Sequence, residues 1–273
     1  MAKFTTSDGL TLHYEDDGAG LPVLCLAGLT RNTRDFDFVA PHLPGVRLIR
    51  MDYRGRGQSG WADDYSTYSV PREARDALEL LDHLGLEKAA ILGTSRGGMI
   101  GMFLAATAKD RLLGVALNDV GPELNKDGLA GIVANLGVNP DAKTLDELAA
   151  QRAQTPGFAN VPPERWQQEA THIFTQTRRG MEINYDPRLR DAIVESAIGD
   201  TPDLWPLFRA VAPLPCAVIH AENSELLSAE SVDRMAAEMP GLIVAHVPDR
   251  AHIPFLDEPQ SLDALHQWLG KLQ

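Results

Sequence analysis

Residues 89–97 read Ala89-Ala90-Ile91-Leu92-Gly93-Thr94-Ser95-Arg96-Gly97, and Gly98 to Ala108 continue them as a small, apolar run. The first four residues have the pattern of a buried strand, and the later run that of a buried helix. Between them lies Gly-x-Ser-x-Gly. So tight a strand-to-helix turn strains the serine backbone and demands small neighbours, which Gly93 and Gly97 supply. It lifts the Ser95 hydroxyl above the sheet edge and aims the helix N-terminus at it. A phosphate-binding loop would need Gly-x-x-x-x-Gly-Lys, which this stretch lacks. Ser95 is therefore the candidate nucleophile of a serine hydrolase.

Working outward, short apolar runs alternate with helical patterns. Residues 2–15 read as a hairpin about Ser7-Asp8-Gly9. Strands are expected at 21–26, 46–51, 112–117, 217–219 and 242–247. Ser69 precedes a helix with the stripe Ala74, Ala77, Leu78, Leu81 and Leu84, stopped at Gly85. Further helices are expected at 228–239 and 260–272. This alternation predicts an α/β fold with a mostly parallel sheet covered on both faces. It breaks between 122 and 200, where no good strand is found. Helices are expected there at 124–136, 144–154, 163–177 and 188–198, with Thr144 and Glu147 as a capping box. The expected organisation is a core of residues 1–121 and 201–273, with 122–200 inserted as a helical cap. Ile132, Val133, Leu136, Phe158, Trp166, Ile173 and Phe174 make that cap apolar, and part of this set could line an acyl pocket.

A serine hydroxyl needs a base. Of eight histidines, His252 stands out because it lies in the loop after the last strand, where open α/β sheets place their sites. His13, His83 and His266 fit hairpin or helix faces, and His172 falls in the cap. The third member must be a carboxylate that orients the imidazole. Glu222, Glu225 and Asp119 each follow a strand, while Asp249 is too close to His252 in its own loop. Glu225 is the favoured choice, with Asp119 the main alternative. The oxyanion donors expected are the backbone N–H of Arg96 and, from the loop after 21–26, that of Leu29.

Bulk properties narrow the partners. The chain has 273 residues, 44% of them hydrophobic, with 25 Lys and Arg against 38 Asp and Glu, a formal charge of −13. Such a surface repels phosphate backbones and anionic lipid, so nucleic acid and membrane are not expected partners. No apolar run is long enough to span a bilayer, and residues 1–6 do not resemble a secretory leader. A cytoplasmic location is expected. Cys25 and Cys216 lie in apolar strand-like runs and are expected to be buried free thiols. No cofactor or metal is expected. The anticipated partner is a small ester or lactone, and monomer and homodimer both remain open. Asp52-Tyr53-Arg54-Gly55-Arg56-Gly57-Gln58-Ser59 reads as a structured loop, with glycines at positive φ and Arg54 bonding nearby carbonyls.

With Ala27-Gly28, Asp52 to Ser59, the turn at Ser95 and the tail Ala251-His252 to Glu258-Pro259, the chain resembles the α/β-hydrolase fold superfamily, in particular esterase-like members with a helical cap. The resemblance spans the whole chain. It implies an eight-stranded sheet with strand 2 antiparallel and a cap between strands six and seven. It also implies a triad acid after strand seven, at the position of Glu225, where many relatives carry Asp. The chain departs further in lacking the usual His before Gly28, a side chain and not a backbone donor. The resemblance also places Cys25 and Cys216 on strands that are not neighbours. A serine nucleophile sets aside the aspartate-nucleophile dehalogenases and epoxide hydrolases. It leaves carboxylesterases first, then lactonases, perhydrolases and carbon–carbon bond hydrolases. A non-catalytic ligand-binding protein of the same fold is the rival class.

Overall fold

Alternate residues along the central strands face opposite ways, and this parity builds two cores from one sheet. The structure, a computed structural model, describes residues 2–196 and 203–272. Its strands are β1 (Ala2–Thr5), β2 (Thr11–Gly18), β3 (Leu21–Leu26), β4 (Val46–Met51), β5 (Ala89–Thr94), β6 (Leu112–Asn118), β7 (Phe174–Gln176), β8 (Met181–Ile183), β9 (Cys216–Ala221) and β10 (Ile243–Val247). Eight of them form one sheet in the order β1-β2-β4-β3-β5-β6-β9-β10. Strand β2 runs antiparallel to both neighbours, and the remaining pairs are parallel. All eight main-sheet strands fall where the sequence pattern placed them.

The helices are α1 (Val70–His83), α2 (Arg96–Thr107), α3 (Lys126–Asn135), α4 (Leu145–Arg152), α5 (Pro163–Ile173), α6 (Leu189–Ser196), α7 (Trp205–Val211), α8 (Ala229–Glu238) and α9 (Pro259–Gly270). Leu24, Leu26, Ile91, Val115 and Leu117 pack with α1, α2, α7 and α8 on one face of the sheet. Val23, Cys25, Ala90, Leu92 and Ala116 pack with α9 and the Phe36–Val39 turn on the other. Both cysteines are buried and free, and burial pushes each thiol up to about 12. No helix among the described residues is long and apolar enough to cross a membrane.

Between β6 and β9 the chain leaves the sheet and forms α3 to α7. The expected helix at 163–177 stops at Ile173, and the chain turns into the hairpin β7–β8, which contradicts the all-helical expectation. The cause is tertiary. The hairpin closes a small core with Ala142, Leu148, Ala170 and Met181, and Met181 N–H donates to the Ala142 carbonyl. The expected helix at 188–198 is seen as α6, and its last two residues lie outside the described ones. The end of the 122–200 interval and residues 201–202 also lie outside.

The segment between β6 and β9 is fastened to the rest of the chain at separate points. Asn32 Nδ2 donates to the His172 carbonyl at 2.6 Å. Tyr68 Oη donates to Asp186 at 2.6 Å. Arg165 makes a two-pronged pair with Asp257 at 3.0 and 2.5 Å. The Asp52–Ser59 loop has its expected left-handed glycines, at φ 76° for Gly55 and 54° for Gly57. The carbonyl-binding side chain is Arg56, however, and not Arg54. Arg54 instead grips the carboxylates of Asp76 and Asp8. Arg56 donates to the carbonyls of Leu29 and Arg54 at 3.0 and 2.6 Å.

Candidate active site

Three chain segments converge at the C-terminal edge of the sheet. Strand β5 delivers Ser95, its neighbour β6 delivers Asp119, and the loop after β10 delivers His252. Ser95 sits at φ 50°, ψ −111°, a conformation that side-chain-bearing residues rarely hold without surrounding support. The support is packing. A Cβ on Gly93 would fall 2.4 Å from the Gly97 carbonyl carbon, and one on Gly97 would fall 1.8 Å from the Leu26 carbonyl oxygen. Only glycines allow the turn and α2 to press this closely on the sheet. Ser95 N–H still donates to the Asn118 carbonyl at 3.0 Å, so the sheet ladder extends through the turn.

His252 Nε2 lies 3.0 Å from Ser95 Oγ, and Nδ1 lies 2.8 Å from Asp119 Oδ2. The carboxylate fixes the tautomer: Nδ1–H donates to Asp119, which leaves the Nε2 lone pair to accept from the serine hydroxyl. Asp119 is fully buried. Ser224 Oγ also donates to its Oδ2 at 2.7 Å, and the Ala221 N–H to its Oδ1 at 2.9 Å. Three protein donors therefore satisfy this carboxylate.

Glu225, the carboxylate favoured from sequence, does not reach the ring. Its side chain is exposed, and Oε2 accepts from the backbone N–H of His252 at 3.3 Å. The imidazole partner is Asp119. Strands β6 and β9 are hydrogen-bonded neighbours, with Asn118 opposite Ile219, so residues just beyond both strand ends crowd the same spot. Chain order cannot tell which strand end supplies the acid. Ser224, which orients Asp119, carried no signal of its own in the sequence.

Leu29 and Arg96 both border a cavity of about 440 Å³ that also exposes Ser95. Arg96 opens α2, so its N–H has no acceptor within the helix. Its side chain is drawn away from the site by Glu73, at 2.6 Å, and by the Tyr68 carbonyl, at 3.0 Å. Three successive carbonyls of the Leu29 loop are already occupied. Ala27 accepts from Tyr53 Oη at 3.1 Å, Gly28 from Arg31 N–H at 3.1 Å, and Leu29 from Arg56 Nε at 3.0 Å. The rest of the cavity is largely apolar, with Met99, Val120, Leu129 and Ile132 among its walls.

Beyond His252 is a second, smaller chamber of about 90 Å³, walled by Phe38, Phe158, Trp166 and Phe255 with Asp35 and Asn118. Of the apolar residues noted between 122 and 200, Ile132 borders the Ser95 cavity, and Phe158 and Trp166 border the smaller chamber. Ile173 and Phe174 line an open groove. His172 stacks on Phe38 with ring centres 5.1 Å apart. Burial, with the charge of Arg34, pushes its pKa down to about 4.

A strained serine after the central strand, hydrogen-bonded to histidine and then to a buried carboxylate, is the arrangement of serine hydrolases with this sheet. The profile of the alpha/beta hydrolase fold family matches residues 22–164, and the chain belongs to that family. It is 36% identical over 264 residues to a 3-hydroxybutyrate-oligomer hydrolase of Cupriavidus necator, covering 93% of this chain and 90% of that protein. It is 27% identical to a putative 2-succinyl-6-hydroxy-2,4-cyclohexadiene-1-carboxylate synthase of Bacillus subtilis, over 94% of each chain. Among solved structures, an alpha/beta hydrolase from Novosphingobium aromaticivorans superposes with a TM-score of 0.89 at 35% identity, covering 99% of this chain and 97% of that one. The chain is thus a hydrolase of this fold.

Proposed function

We propose that the protein is a serine esterase that cleaves small carboxylic esters through an acyl-enzyme, with short oligoesters of hydroxyalkanoic acids as its substrate class. The observation that carries the reading is the unbroken Ser95–His252–Asp119 relay, with contacts of 3.0 and 2.8 Å. His252 Nε2 takes the Ser95 proton as Oγ attacks the ester carbonyl carbon. The negative charge that develops on the carbonyl oxygen is met by the N–H groups of Leu29 and Arg96. The imidazolium, held by Asp119, then gives its proton to the departing alcohol oxygen, and the carbonyl re-forms as the acyl-enzyme. A water enters, loses a proton to His252 and attacks the acyl carbon. Ser95 leaves with that proton, and the acid is released.

The substrate class rests on the relative from Cupriavidus necator, whose name specifies an oligomer of 3-hydroxybutyrate. The largely apolar cavity at Ser95 suits the hydrocarbon part of such an ester. In this reading residues 122–200 act as a cap over the site. The test is labelling by a fluorophosphonate, together with release of acid from 3-hydroxybutyrate dimer and from p-nitrophenyl butyrate. The wild type should be labelled and should turn over both substrates, and Ser95→Ala should do neither. Absence of turnover on every ester, with the protein folded, would instead place it among the non-catalytic binders of this fold.

A further inference from the structure

Two buried oxygens bordering the small chamber beyond His252 find no hydrogen-bond donor among the described residues. Asp35 carries its carboxylate into this space with a side-chain exposure of 8%. Its Oδ1 accepts from Arg31 Nη1 at 3.2 Å, and the Gly28 N–H stands near the carboxylate, but Oδ2 has no donor of good hydrogen-bond geometry among the described residues. Asn118, fully buried, lines the same chamber. Its Nδ2 donates to Thr94 Oγ1 and to the Pro254 carbonyl, both at 3.2 Å, while its Oδ1 also lacks a donor. A buried acceptor left unpaired is costly, so a chamber with two of them is matched to an occupant that brings donors.

The charges decide what kind of occupant. Arg31 pairs with Asp35 and, at 3.0 Å, with Glu169. Arg152 forks onto the same Glu169. Two cations thus face two carboxylates, and the cluster has no formal net charge. A carboxylate entering here would meet two others whose arginines are already engaged. An ammonium would give a balanced, largely buried cluster a net positive charge. A hydroxyl is neutral, donates one hydrogen bond and can accept another. Burial holds the Asp35 carboxyl above its ordinary range, although Arg31 opposes this. A hydroxyl can pair with it in either protonation state.

Position gives the geometry a link to catalysis. Arg31 and Asp35 follow Leu29 in the same loop, and His252 is one wall of the chamber. The chamber and the Ser95 cavity share no lining residue, so a group a few bonds from the ester carbonyl carbon must pass His252 to reach it while the carbonyl oxygen faces the Leu29 and Arg96 amides. At about 90 Å³, it suits a short hydroxyalkyl chain and not a bulky one. From the unpaired Oδ2 of Asp35 in a charge-balanced chamber beside His252, we infer that this chamber is the subsite for a hydroxyl on the acyl chain, and that Asp35 sets a preference for hydroxyacyl over plain acyl esters.

The inference rests on the esterase reading, and one experiment separates the two. Initial rates are measured for methyl 3-hydroxybutyrate and methyl butyrate with the wild type and with Asp35→Ala. In the wild type the hydroxy ester should have a kcat/KM roughly tenfold or more above the plain ester, the worth of one hydrogen bond to a charged group. In Asp35→Ala the ratio should fall to within about threefold of unity. Should that variant not fold, 3-hydroxybutyrate and butyrate are compared as product inhibitors of the wild type, and the hydroxy acid should bind roughly tenfold tighter. Turnover of both methyl esters at equal efficiency would overturn the subsite and leave the esterase standing, the chamber then holding only water. A wild-type preference that survives in Asp35→Ala would also overturn it. If neither ester is cleaved, the esterase reading falls and this inference with it.

Discussion

Asp119 Oδ2 sits 2.8 Å from His252 Nδ1, although 133 residues of chain separate them. The backbone hydrogen bonds of the sheet bring them together. Strand β6 hands Asp119 to the sheet edge, where its own N–H donates to the Ile219 carbonyl at 2.7 Å. The Asp119→Asn variant should therefore lose on the order of 10³–10⁴ in kcat, because an amide can hold the ring in the wrong tautomer. Glu225→Gln should lose less than about tenfold, since its only bond to the loop is the 3.3 Å contact with a backbone N–H. Steady-state rates on p-nitrophenyl butyrate check both. The reverse order of severity would return the orienting role to Glu225.

Packing at the nucleophile turn should make it intolerant of one methyl group. Gly97→Ala would drive a Cβ to 1.8 Å from a backbone oxygen, which α2 cannot yield to without lifting off the sheet. A loss of about 3 kcal/mol or more is expected. Gly131, within α3, has nothing within 4 Å of its Cβ position. Gly131→Ala should therefore stabilise that helix by about 0.5–1 kcal/mol. Urea unfolding of the two variants should shift the midpoint in opposite directions.

Acid should weaken the protein well before the ordinary carboxylate range, through His172. Its pKa is pushed down from 6.5 to about 4 by burial, so the unfolded chain takes up the proton first. The stabilising contribution is complete above about pH 6.5, is lost as pH falls towards 4, and does not change further below that. The full loss is roughly 3 kcal/mol. Arg34 and Arg31 disfavour the charged ring, and Asp37 and Glu169 favour it. His172→Gln should flatten the stability profile between pH 6.5 and 4, as chemical denaturation across that interval would show. A profile as steep as that of the wild type would assign the acid sensitivity to other groups.

Arg165 should be the most sensitive single fastener of α5. Its guanidinium lies 3.8 Å from the Phe38 ring centre, in addition to its two bonds to Asp257. Lysine can supply the charge but not the planar fork. Arg165→Lys and Arg165→Ala should both destabilise, the latter by about 1–3 kcal/mol. Both should raise KM more than they lower kcat, because the walls of the His252 chamber loosen while the relay stays intact. Equal KM values in wild type and variants would show that this fastening has no bearing on the site.

The sheet was legible because its signals are local. Runs such as Leu21–Leu26 and Ala89–Leu92 are apolar on both parities, as strands buried on two faces must be, and Gly93 and Gly97 mark a turn that only glycine tolerates. The sequence therefore determined the sheet, the Ser95 turn and the placing of His252 in the loop after the last strand. The hairpin β7–β8 escaped it because three-residue strands carry too short a period, and their pairing depends on a core drawn from distant residues. Arg56 takes the carbonyl-binding role expected of Arg54 for a similar reason. Both sit in one loop, and only the surrounding carboxylates and carbonyls distinguish them. The choice between Asp119 and Glu225, the second chamber and the unpaired oxygens within it were decided by tertiary structure alone. Each depends on which strand ends become neighbours and which buried atoms find donors, and those distances exist only once the chain has folded.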